Sequence, residues 1–123
     1  MSAVNQVLIL GHVGKDPETR YTSSGIAISK FTVAVNEHYK DKGGQKQKRT
    51  EWFGITCFGK LGEVVNKYVK KGMQVFVQGH LRHEEWEKDG AKHRKLEIHA
   101  DEVSFLSSVD KPDNKPIVDP EDY

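Results

Sequence analysis

Tyr39, Trp52, Phe58 and Trp86 are aromatic residues set on or beside segments that read as β-strands, with lysine and arginine running among them. That combination has a definite chemistry. A flat ring can take the face of any nucleobase and a nearby cation can take a phosphate, so a basic surface carrying rings holds single-stranded nucleic acid without reading its sequence. The densest cations are Lys40, Lys42, Lys46, Lys48 and Arg49, crowded between Tyr39 and Trp52. A lysine-rich hairpin alone is a solvated surface; between two rings, phosphate contact is the better reading. Phe58, next to Cys57, has core packing as its competing role, since Phe is so often buried. Trp86 has His83, Glu84, Glu85, Glu87 and Lys88 as neighbours, which places it on a loop.

Catalysis finds little support. Hydrolysis of a phosphodiester needs metal-binding carboxylates or a histidine acid/base. The acids here are scattered: Asp16 and Glu18 flank a turn, and Asp101-Glu102 sit in the terminal strand. The six histidines form no His-Glu-x-x-His motif and join no cysteine pair. Gly14-Lys15 and Gly59-Lys60 lack the upstream glycine spacing and the following Ser/Thr of a phosphate loop. The expectation is a binding protein, not an enzyme, with no metal and no cofactor.

The elements that must position these side chains fit in one domain of 123 residues with a tail. The N-terminus carries no secretory pattern and no apolar run reaches membrane length. Cys57 is the only cysteine, so no intrachain disulfide can form, which suits a reducing cytoplasm. Net charge is +1 but uneven: residues 107–123 carry five acids against two lysines, or −3, leaving +4 on the remaining 106 residues. A basic body, 1–106, and a flexible acidic tail, 107–123, follow.

Residues 4–14 read as a strand, Asp16-Pro17 as the start of a turn, and 21–25 as a loop. From Ile26 to Asn36 the chain alternates, with Phe31, Val33 and Val35 on one face and Lys30, Thr32 and Asn36 on the other. Residues 37–51 form a long exposed hairpin tipped by Gly43-Gly44, and Thr50 to Phe58 returns as a strand. Leu61, Val64, Val65 and Tyr68 then fall at helical spacing, predicting a helix over 60–71 that stops at Gly72. Lys70 and Lys71 would favour its C-terminus. Strands over 73–82 and 93–105, with a turn at Lys88-Asp89-Gly90, complete five strands with a helix between the third and fourth. That is the order of an OB-fold, a partly open Greek-key barrel, all-β with one helix.

Several segments, in one register, resemble bacterial single-stranded DNA-binding proteins: Gly11-His12-Val13-Gly14-Lys15-Asp16-Pro17-Glu18-Thr19-Arg20-Tyr21, Thr50-Glu51-Trp52, Cys57-Phe58-Gly59-Lys60-Leu61, Tyr68-Val69-Lys70-Lys71-Gly72 and Val77-Gln78-Gly79-His80-Leu81-Arg82. The resemblance runs from about Val4 to Phe105. It implies an OB-fold, a homotetramer in most bacterial members with a dimer as the alternative, and sequence-independent binding of single-stranded DNA in replication, recombination and repair. The family's stacking positions fall on Tyr39, Trp52, Phe58 and Trp86, with Tyr39 in place of a tryptophan. Arg20, Lys60, Lys70, Lys71 and Arg82 fall on basic positions. The N-terminal strand offers a dimer edge.

Three departures stand out. Glu84-Glu85 precede Trp86 where relatives carry basic or polar residues, and Gly54 stands where some carry arginine; both weaken attraction to phosphate. The ending Val118-Asp119-Pro120-Glu121-Asp122-Tyr123 keeps acids and a terminal aromatic on a short linker. Asp119, Glu121, Asp122 and Tyr123 would dock replication and repair proteins, or serve only as a solubilising end, and the short linker points to a phage, plasmid or secondary version. Two rivals stay open: a primosome-type OB adaptor mainly contacting a helicase, and an RNA-binding OB domain. The expected location is cytoplasmic, with the nucleoid.

Overall fold

The computed structural model describes residues 2–106; the acidic tail and the docking role expected of Asp119, Glu121, Asp122 and Tyr123 lie outside the described residues. In chain order the elements are β1 (Val7–Val13), β2 (Glu18–Tyr21), β3 (Ala27–Lys40), β4 (Lys46–Phe58), α1 (Gly59–Tyr68), β5 (Gln74–Lys88) and β6 (Ala91–Phe105). The sheet runs β1-β5-β6-β4-β3-β2, and a β1–β3 pairing closes all but the edge strand β2 into a five-stranded barrel. Two seams are short. β1 meets β3 at His12↔Ala34 and Val13↔Val33, and β4 meets β6 in parallel at Ile55↔Ile98 and Thr56↔His99. The OB-fold expected from the element order is the fold observed.

Alternation builds the core. Phe31 and Val33 of β3, Ile55 and Cys57 of β4, Val75 and Val77 of β5 and Ile98 of β6 point inward and are buried. α1 lays Val65 against them, with Leu61 half-buried beside it. Ser29 and Thr56 are the buried polar exceptions, and the Ser29 hydroxyl donates to the Gly62 carbonyl at 2.6 Å, tying β3 to α1.

Four details differ from the sequence expectation. Glu18–Tyr21 is a strand, β2, paired with β3 from Glu18↔Lys30 to Tyr21↔Ala27. The helix ends at Tyr68, because Val69 leaves helical geometry and is fully buried under the barrel. Lys70 and Lys71 therefore lie in the following turn, and the basic residue of the last helical turn is Lys67. Tyr68, expected on the apolar stripe, is half-exposed beside Phe105. Finally, both long hairpins are strand-paired almost to their tips. The β3–β4 ribbon pairs as far as Lys40↔Lys46, and the β5–β6 ribbon as far as Lys88↔Ala91, turning through Asp89 and Gly90 at positive φ. Trp86 therefore stands on a strand and not on a loop.

Candidate nucleic-acid interface

The outward residues of β4 are Trp52, Gly54, Thr56 and Phe58, since strand side chains alternate and Ile55 and Cys57 point inward. β3 places Ile28, Lys30 and Thr32 beside them, through Ile28↔Phe58, Lys30↔Thr56 and Thr32↔Gly54. β2 adds Arg20 opposite Ile28. On the other side the β4–β6 seam sets His99 beside Thr56, and β5 adds Arg82 opposite Glu97. The result is an open cleft of ≈ 540 Å³ walled by Phe58, Arg20, Lys30, Arg82, Glu97 and His99. A second cleft of ≈ 310 Å³ shares Lys30, Thr56 and Glu97 with it and continues past Gly54 and Thr32 to Lys15 and Lys95. Together they form one groove across the barrel.

Trp52 stands where this groove ends. Its ring covers Gly14: a Cβ built on Gly14 would come within 2.4 Å of Trp52 Cζ3 and 2.8 Å of Thr32 Oγ1. Gly14 thus sets the pose of the ring. Gly14→Ala is expected to push the indole off its seat, weakening oligo-dT binding by roughly two- to tenfold and shifting Trp52 emission. Unchanged binding and emission would show that the ring does not depend on that seat.

All four rings are open to solvent: Trp52 is 61% exposed, Tyr39 46%, Phe58 43% and Trp86 43%. Core packing is therefore not the role of Phe58, whose ring instead meets His99 at 4.9 Å between centroids. Trp86 lies stacked on His93 at 5.5 Å, out on the β5–β6 ribbon. Tyr39 does not share a face with Trp52. Tyr39 pairs with Gln47 and Trp52 with Ala34, an odd number of steps apart on β3, so the two rings project to opposite sides of the ribbon. A strand using both must cross the ribbon.

The cations divide similarly. Lys40, Lys46 and Lys48 share the face of Trp52, with Lys40 directly opposite Lys46, and Lys42 sits in the turn. None of these four enters an ion pair among the described residues. Like charges placed opposite each other are unfavourable alone, and an anion laid along them relieves that. Arg49 is different. Its Nη2 donates to Glu37 Oε2 at 2.7 Å, its Nε lies 3.5 Å from Glu51, and its guanidinium covers the Tyr39 ring at 5.6 Å. The hydrogen bond to Glu37 raises its pKa further. It serves Tyr39 before it serves a phosphate. Lys60, at the start of α1, and Lys71, whose backbone N–H is held by Asp16, are exposed but do not line the groove.

Sequence reasoning did not pick out Lys30, Thr56, Glu97 or His99 as site residues. Alternation about Phe31 and Ile98 marks Lys30, Glu97 and His99 as outward, but only the β4–β6 seam brings them together. Glu97 is the pivot, its side chain only 10% exposed. It accepts from Thr56 Oγ1 at 3.4 Å and lies 3.7 Å from Lys30 Nζ and 3.8 Å from His99 Nε2. Its carboxyl also meets that of Glu84. The hydrogen bond to Glu97 and the repulsion between the two raise the pKa of Glu84, while the same bond, helped by Lys30, holds Glu97 ionised. Burial lowers the pKa of His99. At neutral pH, then, the groove holds negative charge at the carboxyl pair and a neutral His99. Acidification protonates Glu84 and charges His99, and both changes favour phosphate. Affinity for oligo-dT is expected to rise from neutral to mildly acid pH at constant salt; a flat profile or a fall would contradict this. Among the described residues, no group of three or more His, Cys, Asp or Glu is placed to hold a metal ion, and no helix is long and apolar enough to cross a membrane.

Residues 4–106 match the single-strand binding protein family. Over 104 residues the chain is 40% identical to a single-stranded DNA-binding protein of Xanthomonas axonopodis pv. citri, covering 84% of this chain and 58% of that one. It is 40% identical over 109 residues to single-stranded DNA-binding protein 1 of Chlorobaculum tepidum, covering 87% and 67%. The chain thus spans less than two thirds of the Xanthomonas relative. Among solved structures, it resembles a Plasmodium falciparum SSB complex with ssDNA at TM-score 0.78 and 25% identity, covering 87% and 98% of the two chains. It also resembles a deletion mutant of the single-stranded DNA-binding protein from Thermus aquaticus at TM-score 0.78 and 29% identity, covering 86% and 52%.

Proposed function

Because the chain belongs to the single-strand binding protein family, we propose that it coats single-stranded DNA without reading its sequence, in replication, recombination and repair. The observation that carries this is the groove: exposed Phe58 at one end, exposed Trp52 at the other, and Arg20, Lys30 and Arg82 along its walls. Rings take base faces, cations take phosphates, and neither discriminates strongly among bases. Trp86 and Tyr39 extend the path over the two ribbons, where Lys40, Lys42, Lys46 and Lys48 supply further charge. Arg20 and Arg82 act in the groove, and Lys60 and Lys71 guide the strand from outside it. The protein works passively, by keeping strands unpaired and shielded, without catalysis.

Residues 1–106 act as the binding domain, and 107–123 as an acidic arm through which Asp119, Glu121, Asp122 and Tyr123 engage replication and repair proteins in the cytoplasm. Copies associate through β1, which presents Leu8 and Leu10 outward, exposed, on the strand that pairs with β5 over Val7–His12. A homotetramer would let one strand wrap several grooves and gain affinity by effective concentration. Titration of labelled oligo-dT and of duplex DNA tests the reading. Oligo-dT should bind, duplex should not compete, and log K should fall with log salt by about 0.7 per phosphate neutralised. Equal binding of duplex would overturn it. A matched oligo-U separates DNA from RNA. Replacing Glu84 and Glu85 together by lysine should tighten oligo-dT binding several-fold and steepen the salt slope, because two carboxylates leave the groove; no change would show that they lie off the strand's path.

A further inference from the structure

The groove is not uniformly basic. Glu84, Glu85 and Glu97 line the Phe58 cleft among its three cations, which is a poor arrangement for a phosphate. The cations stand on β2, β3 and β5, whereas Glu97 sits low, with 10% of its side chain exposed, next to the floor residue Thr56. Thr56 and Phe58 are two apart on the outward face of β4, about 7 Å. A base lying on the Phe58 ring can present an edge to Thr56 and Glu97, which line the same cleft. Lys30 and Thr56 hold Glu97 in place, so it is a fixed acceptor and not a mobile surface charge.

Resting on the single-strand reading above, we infer that Glu97, together with Glu84, makes the Phe58 subsite prefer cytosine to thymine. Cytosine presents the N4 amino group, a donor that a glutamate accepts from. Thymine presents the O4 carbonyl at the same place, and two acceptors facing each other repel. The specificity is local, laid over stacking that is otherwise indifferent to base. A glutamine in place of Glu97 keeps an acceptor and gains an N–H that thymine O4 can use.

The test compares oligo-dC and oligo-dT of equal length at one salt concentration and slightly alkaline pH, for the unaltered protein, Glu97→Gln and Glu84→Gln. The readout is the ratio of the two affinities, so the intrinsic preference of the remaining contacts cancels. The ratio is expected to move toward thymine by roughly fivefold or more in Glu97→Gln, and in the same direction in Glu84→Gln, an exposed position where folding is not at stake. If both oligonucleotides bind and both variants leave the ratio unmoved, with the two affinities rising or falling in parallel, the carboxylates act only through charge and the inference is overturned. If neither oligonucleotide binds the unaltered protein, the single-strand reading fails and this inference with it.

Discussion

Phe58→Ala is expected to weaken oligo-dT binding by about 1–3 kcal/mol, roughly five- to 150-fold, and Trp52→Ala by a similar amount. Both rings are exposed in the free protein, and the ring contact made by Phe58 is with the side chain of His99. Their removal therefore takes little from the core, and the urea midpoint should barely change. The two positions are six residues apart on one strand, about 20 Å. At that separation the losses should add in the double variant. A double variant binding no worse than either single one would mean that one strand does not engage both ends of the groove. Loss of binding with a large fall in the urea midpoint would assign the rings to folding.

Gly79→Ala is expected to damage the barrel itself. A Cβ on Gly79 would stand 2.2 Å from the His99 carbonyl oxygen and 3.0 Å from its carbonyl carbon, both backbone atoms of the neighbouring strand. No rotamer change can relieve that contact, so β5 and β6 must separate at the register shift between Gln78 and Gly79. Overpacking of this kind costs about 1–3 kcal/mol, and for a domain of this size each kcal/mol lowers Tm by roughly 4–8 °C. Because His99 meets Phe58 across the cleft, binding should also weaken at temperatures where the variant is folded. A thermal melt matching the unaltered protein would contradict the steric account.

The barrel was legible wherever one face of a strand is buried. Phe31, Val33 and Val35 against Lys30, Thr32 and Asn36 gave β3 its register, and the same alternation continued to residue 39 would have placed Tyr39 opposite the face of Trp52. The outer half of β5 was not legible. Both faces of the ribbon from Leu81 to Lys88 meet solvent, so no apolar alternation marks it, and Trp86 among charged residues looks like a loop. β2 was hidden for another reason: its four residues are held by pairing with β3, a tertiary effect without a local pattern. The helix end depended on the burial of Val69, which no propensity of Lys70-Lys71 reveals. The four exposed rings were visible as types, and the structure adds that only Phe58 and Trp52 mark the ends of one groove. Its carboxylate pair was invisible because it needs the register of β5 on β6, which sets Glu84 opposite Lys95 and Glu97 opposite Arg82.

In the proposed complex, bases stack on exposed rings while phosphates meet cations along one groove. The most direct test of this arrangement is intrinsic tryptophan fluorescence during titration with oligo-dT, at low and high salt, in the unaltered protein and in Trp86→Phe, which leaves Trp52 as the only tryptophan. Strong quenching that persists in Trp86→Phe and moves to higher oligonucleotide concentration as salt rises is the predicted result. Saturable binding without quenching of Trp52 would contradict it, since the strand would then be held away from the ring that ends the groove.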